Sequence, residues 1–239
     1  AQLFGKSDYR EISRTLLRNF IIAIAIGIII ILFKPIIVNF IKYFFSISND
    51  TQELINTYIS IRVLSVPAEL IIYILVGFYL GIQKTNLSSL LVISMSILNI
   101  VLSSFFVLSL NLNVFGVALG TLISSYITAV IFSLFTYNFI VKKFQITPTF
   151  QKLIVPSKLM KLFMINFDIF IRTLLLTFSF LWITYMGSKL GEDYLAINTI
   201  LMQFIILAAF FLDSYAFSTE GIIGFAIGKR NKKSFLMSV

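Results

Sequence analysis

The chain contains no cysteine and no histidine. That excludes disulfides, a thiol nucleophile, an imidazole base and any metal held by histidine or cysteine ligands. Tryptophan occurs once and proline four times in 239 residues, so little interrupts helix. Charge is scarce too. Asp, Glu, Lys and Arg make up 12% of the chain, against roughly a quarter in soluble proteins. Acids are the rarer sign, ten against nineteen bases, for a net charge of +9.

What fills the chain is apolar. Hydrophobic residues make up 59%, and the mean hydropathy is +0.98, above the roughly 45–50% apolar content of soluble domains. An all-α polytopic membrane protein is the class that fits. The polar stretches are too short for a separate globular domain. The positive charge gathers at the ends of apolar runs, where it sets topology, so the bilayer and not nucleic acid is the expected partner. The chain opens on AQLFGKSDYREISRTLLRNF and closes on GKRNKKSFLMSV. Both read as basic lead-ins to a span, as expected of a fragment truncated at both ends.

A hydrocarbon core of about 30 Å takes roughly 20 apolar residues of helix. Six runs qualify: Thr15 to Phe33, Glu53 to Gln83, Leu87 to Leu110, Phe115 to Val141, Leu159 to Gly187 and Tyr194 to Gly228. Pro35 closes the first run, and a short amphipathic helix, Ile36 to Phe45, follows it. Six crossings sort the bases by side. Lys6, Arg10, Arg14, Arg18, Lys84, Lys142, Lys143, Lys152, Lys158, Lys161, Lys229, Arg230, Lys232 and Lys233 fall on one side, and only Lys34, Lys42 and Lys189 on the other, with Arg62 and Arg172 left inside spans. The basic side, with both chain ends, is expected in the cytoplasm. The segment 143–158, with Pro148 and Pro156, reads as a cytoplasmic linker between a four-span block (1–142) and a two-span block (159–239).

There is also a short internal echo. With Gly5 laid on Gly228, LFGKSDYREI lies over AIGKRNKKSF. Chance can produce a match this short. Repeated halves, common in membrane transporters, can produce it as well.

Polar residues inside the runs are the candidate site. Asp213 and Glu220 lie seven residues apart in the last run, on one helix face. A charge near the bilayer centre costs about 2.5–3.5 kcal/mol on insertion scales, so an ion or substrate path is one reason to keep it there. Glu220, nearer the basic end, can also be interfacial. Asp168 and Arg172 stand at i, i+4 in the fifth run, where an intrahelical pair forms readily. Arg172 is also the obvious partner for Asp213. Ser96, Asn99 and Ser103 make a polar stripe in the third run, suited to interhelical hydrogen bonds or to ion coordination. Gly116, Gly120 and Ser124 repeat every four residues in the fourth run, a small-residue face for close helix packing, with Thr121 beside it. In the second run Arg62 can snorkel or pair with Glu69, and Pro67 is expected to bend the helix.

Taken together, the chain resembles the multidrug and toxic compound extrusion (MATE) family, best its DinF-like branch. Four segments carry the resemblance in order: AQLFGKSDYREISRTLLR; YISIRVLSVPAELIIYILVGFYLGIQKT; LNIVLSSFFVLSLNLNVFGVALGTLISSY; and IRTLLLTF through AINTI and LDSYAFSTEGIIGFAIGKRN. The resemblance implies six transmembrane helices of a two-lobe, twelve-helix transporter: a partial N-lobe of four, the linker and a partial C-lobe of two. It implies a secondary efflux transporter that exchanges H⁺ or Na⁺ for a small organic, cationic or amphipathic substrate by alternating access. A bacterial inner-membrane protein, monomeric at full length and without a bound cofactor, is expected. The family's N-lobe cation site would fall on Asn99 and Thr121, with Na⁺ a candidate ligand. Its acid falls on Ser103, which cannot carry a charge. The family's LDG-Y/F-A-x-A-x-E pattern is met by Leu212, Asp213, Tyr215, Ala216 and Glu220, with Ser214 and Ser218 as small replacements.

Two rival readings remain. A lipid-linked oligosaccharide flippase of the same superfamily would want a more basic cavity than Arg62 and Arg172 provide. An intramembrane aspartyl protease would need a GxGD-type motif, which the sequence does not contain. No enzymatic activity is expected.

Overall fold

A computed structural model describes residues 1–44, 49–145, 156–230 and 232–236, and these are helical apart from short turns. In order they are α1 (Gln2–Gly5), α2 (Tyr9–Leu32), α3 (Lys34–Phe44), α4 (Asn49–Gly81), α5 (Thr85–Ser104), a π-helical turn (Phe105–Ser109), α6 (Asn113–Phe144), α7 (Pro156–Leu190), α8 (Glu192–Gly228) and α9 (Lys232–Leu236). Six of these are long and apolar enough to cross a membrane. Each overlaps one of the six runs read from sequence, with ends that differ by up to eight residues. Most of the expected linker, 146–155, lies outside the described residues. Helix continues to Phe144 before it and resumes at Pro156 after it.

Local chemistry explains the boundaries. Asp8 caps α2, its carboxylate accepting from the Glu11 backbone N–H at 3.1 Å, which satisfies one of the free donors of the first turn. Glu11 itself pairs with Arg18 at 2.8 Å, one face down the same helix. Gln145, at φ 53°, closes α6 in the left-handed conformation after Lys142 and Lys143, a common helix ending.

Two compact units can be distinguished: Ala1–Gln151 together with Gly221–Val239, and Lys152–Glu220. In the first, α4 is the central helix, with Leu75 and Tyr79 fully buried. Tyr79 donates to Thr136 Oγ1 of α6 at 2.6 Å, since the Thr136 hydrogen goes to the Phe132 carbonyl. On its other flank α4 meets α2 at Gly27. A Cβ built there would lie 2.9 Å from Pro67 Cα. Pro67 sits within α4, which stays helical from Asn49 to Gly81. The Tyr126 hydroxyl of α6 donates to the Leu64 carbonyl at 3.0 Å. That is one residue from the Val63 carbonyl, which loses its usual donor because Pro67 has no N–H. A neighbouring helix thus supplies hydrogen bonding where the proline weakens the backbone ladder.

The second unit is a helical hairpin of α7 and the main length of α8. Near its turn the Asn198 amide donates to the Ile183 carbonyl at 3.4 Å. Its exposed side chains are largely Phe, Leu and Ile, a surface matched to hydrocarbon.

The Gly27–Pro67 contact yields a prediction for the full-length protein in detergent. Gly27→Val should lower stability by about 1–3 kcal/mol through overpacking. Gly77→Ala, where an added Cβ meets nothing within 4 Å, should leave the melting temperature unchanged or slightly raised. Equal melting temperatures for the two variants would refute the close α2–α4 approach.

Candidate functional site

Three groups of polar side chains lie at span depth. The first joins α5 to α6. Asn99 projects from α5 and its amide donates to Thr121 Oγ1 at 2.9 Å and to Ser124 Oγ at 3.3 Å. Those hydroxyls send their own hydrogens to backbone carbonyls, Thr121 to Val117 at 3.1 Å and Ser124 to Thr121 at 3.0 Å. Ser125 also donates to the Thr121 carbonyl, at 2.8 Å. The cluster is neutral. Its remaining acceptors are Asn99 Oδ1 and the hydroxyl lone pairs, the hard oxygens a proton or alkali cation prefers.

Ser103 stands one helical turn along α5 from Asn99. Its hydroxyl is buried without a hydrogen-bond partner. Gly120 explains the crowding: a Cβ there would lie 2.8 Å from Ser103 Cα. Gly116 has the same effect four residues earlier, where a Cβ would come within 3.1 Å of Leu112 Cβ and of the Phe106 backbone. Ser124 is fully buried in the same face. The small-residue stripe thus sits where α5, its π-helical turn and α6 come closest. Ser96, the other member of the α5 stripe, is exposed and bonds only to the Val92 carbonyl at 2.9 Å.

The second group lies within α4. Arg62 pairs with Glu69, and Ser65 sits between them. Ser65 Oγ accepts from Arg62 Nη1 at 2.9 Å and lies 2.8 Å from Glu69 Oε1. Pro67 stands inside this segment. The pairing neutralises both charges near the middle of the span, which lowers the penalty for each.

The third group belongs to the second unit. Asp168, Arg172, Asp213 and Glu220 are all exposed on α7 and α8. The ion pairs recorded among the described residues do not include Asp168 with Arg172, nor Asp213 with Arg172. The i, i+4 spacing permits the first of these pairs but does not by itself form it. Near the hairpin turn a cleft of about 430 Å³ is lined by Trp182, Met186, Tyr194 and Asn198 among others.

Sequence reading identifies Asn99, Thr121, Ser124 and the Arg62–Glu69 pair. It misses Ser65, Tyr126, Gly27 and the π-helical turn. Gly27 carries one visible signal: it is the lone glycine in IAIAIGIIIIL. Ser65 and Tyr126 carry none, because their value lies in partners that the fold supplies. No cluster of three or more His, Cys, Asp or Glu suited to a metal ion occurs among the described residues.

Comparison with known proteins adds the following. The MatE family model matches residues 1–105. The DNA damage-inducible protein F of Escherichia coli (strain K12) is 33% identical over 236 residues, 99% of this chain and 51% of that protein. The multidrug export protein MepA of Staphylococcus aureus (strain MSSA476) is 28% identical over 181 residues, 75% of this chain and 39% of that protein. Among solved structures, an outward-facing multidrug resistance MATE family transporter of the MOP superfamily superposes with a TM-score of 0.83 at 18% identity, covering 99% of this chain and 55% of that one. A MOP superfamily transporter from Pyrococcus furiosus gives 0.81 at 19% identity, covering 99% of this chain and 55% of that one. The chain spans about half the length of the first of these curated relatives, and less of the second.

The hydrogen bonds separate Asn99 from Ser103 experimentally. In the full-length protein, Asn99→Ala should cost about 1 kcal/mol, the usual size of an interhelical hydrogen-bond contribution in membranes. Ser103→Ala removes an unsatisfied hydroxyl and should leave stability unchanged or raise it. Thermal unfolding of both variants checks this, and a loss at Ser103 as large as that at Asn99 would contradict the unpartnered state of its hydroxyl.

Proposed function

We propose that the chain is part of a MATE-family protein and that it contributes four helices of one lobe and two of the other to an ion-coupled exporter of small organic compounds. The observation that carries this reading is the placement of polar and charged groups at span depth within this fold: Asn99 on Thr121, Arg62 on Glu69, and Asp213 in an otherwise apolar stretch. Hydrocarbon penalises each of them, and transport of an ion and a polar or cationic solute gives each a use.

In this reading the basic helix ends face the cytoplasm of a bacterial inner membrane, and the full-length protein works as a monomer. H⁺ or Na⁺ moves inward and an amphipathic or cationic organic compound moves out. Ion and substrate need not meet. Coupling requires only that each bind the two conformations with different affinity. The neutral cluster at Asn99 and Thr121 offers oxygens to a cation but no charge to balance it, since Ser103 stands where the family's acid would. Asp213 is then the principal coupling group of this chain. It lacks an intrahelical counter-charge, so protonation, a cation or a cationic substrate competes for it. Glu220 supports it toward the cytoplasmic end. Arg172 is the cation that Asp213 can engage in one conformation, with Asp168 as the alternative partner of Arg172. The flippase alternative is weakened by Arg62, whose guanidinium is engaged by Glu69 and Ser65 and so is less free for a pyrophosphate.

The reading is tested with the full-length protein in proteoliposomes, with a fluorescent organic cation as substrate and imposed proton or sodium gradients. Asp213→Asn should reduce gradient-driven transport by about tenfold or more, the effect of a loss of about 1.4 kcal/mol of coupling. Ser103→Ala should change it less than twofold. Unchanged transport in Asp213→Asn would remove Asp213 from the coupling role.

A further inference from the structure

The sequence echo has a counterpart in three dimensions. Ser7, at φ 56°, and Arg230, at φ 53°, occupy equivalent places in it, and both adopt the left-handed conformation. The same backbone hydrogen bonds precede them. Lys6 N–H donates to the Gln2 carbonyl at 3.1 Å, and Lys229 N–H to the Phe225 carbonyl at 3.0 Å. Ser7 N–H donates to Phe4 and Arg230 N–H to Ile227, each at 3.0 Å. In both places a new helix starts at the fourth residue after the glycine, α2 at Tyr9 and α9 at Lys232. The turn at Gly81 follows the same plan, with Gln83 at φ 59°, Gln83 N–H on the Leu80 carbonyl at 3.0 Å and α5 starting at Thr85. This helix–glycine–turn–helix unit is therefore a repeated device, placed each time at a basic helix end.

The first and last copies do more than resemble each other. They pack together, and they do so reciprocally. A Cβ on Gly5 would press on the Phe225 carbonyl oxygen and lie 2.9 Å from Gly228 Cα. A Cβ on Gly228 would press on the Gln2 carbonyl oxygen and lie 3.0 Å from Gly5 Cα. Gln2 and Phe225 are themselves equivalent in the echo. Residue i of one turn thus meets j of the other while j meets i, the rule of a two-fold interface. Gly224 extends the contact, since a Cβ there would lie 2.7 Å from Ala1 Cβ. The rings of Phe4 and Phe225 approach to 5.6 Å beside it.

The chemistry of this contact is that of a surface made to separate. Backbone meets backbone through glycine, and none of the ion pairs recorded among the described residues crosses it. The close glycine fit contributes dispersion, which is lost over a small gap. The flanking side chains include three cations, Lys6 on one turn and Lys229 and Arg230 on the other, while Asp8 beside Lys6 caps α2. Lys229 folds back over the Phe225 ring at 4.6 Å and does not bridge to the opposite turn. Repulsion between these cations favours separation, and close backbone fit favours contact.

We propose that the Gly5 and Gly228 turns form a two-fold interface between equivalent ends of the two halves, which seals the transport path on its basic side and opens once per cycle. The proposal rests on the alternating-access reading above. Glycine at both positions is what lets the seal close, and any side chain at either one props it open.

The chain has no cysteine of its own, which makes a distance measurement direct. In the full-length protein in vesicles, Lys6→Cys and Lys229→Cys are spin-labelled, and the distance distribution is recorded with and without proton and sodium gradients. Two populations are expected, one short and one longer, with weights that shift between ion conditions. Adding Gly228→Leu should abolish the short population and reduce efflux of a fluorescent organic cation by about tenfold, a barrier change of about 1.4 kcal/mol. A single short distance under every condition, with efflux intact, overturns the moving seal and leaves the transport reading standing. Retention of the short population in Gly228→Leu overturns the role of glycine. Two interchanging populations without ion-driven efflux would sink the transport reading while the interface survives.

Discussion

In hydrocarbon a helix gains nothing from burying apolar side chains against another helix, because lipid is as apolar as leucine. Association depends on close fit and on hydrogen bonds between helices. In the first compact unit both converge on α4. Gly27 lets α2 come against Pro67. Tyr126 of α6 reaches the Leu64 carbonyl, and Tyr79 reaches Thr136. Arg62, Ser65 and Glu69 satisfy one another along the same helix. A proline and an ion pair near the middle of a span would each be costly alone. Here the proline has a glycine to pack against and a tyrosine beside its weakened ladder, and each charge has its opposite.

The α5–α6 cluster follows from the same constraint. Gly116, Gly120 and Ser124 bring the two helices close enough for Asn99 to reach two hydroxyls. Closeness has a consequence at Ser103, whose hydroxyl is enclosed by Gly120 and finds no partner. The acids of α7 and α8 are placed differently. Asp168, Asp213 and Glu220 are exposed, and none of them is in the ion pairs recorded among the described residues.

Much of this was legible from residue order alone. Six spans, the Arg62–Glu69 pair and the small-residue face of α6 all depend on spacing along one helix, and one helix has one geometry. The echo at Gly5 and Gly228 was visible but indecisive, because ten aligned residues allow coincidence. The backbone turned it into a repeat, through matching left-handed residues and matching hydrogen bonds. Arg172 shows the opposite case: its sequence spacing from Asp168 allowed a pair that the recorded ion pairs do not include.

By itself, the sequence determined that the chain is a set of membrane helices, to within a few residues where most of them run, and which polar residues fall inside them. Hydropathy and helical period are properties of a segment, so they can be read from the segment. Only the tertiary structure decided which of those polar residues have partners. It brought Asn99 to Thr121, left Ser103 unsatisfied, put Gly27 beneath Pro67 and set Gly5 against Gly228. Each of these depends on residues from different helices approaching within a few ångströms, and one-dimensional order carries no record of which helix faces will meet.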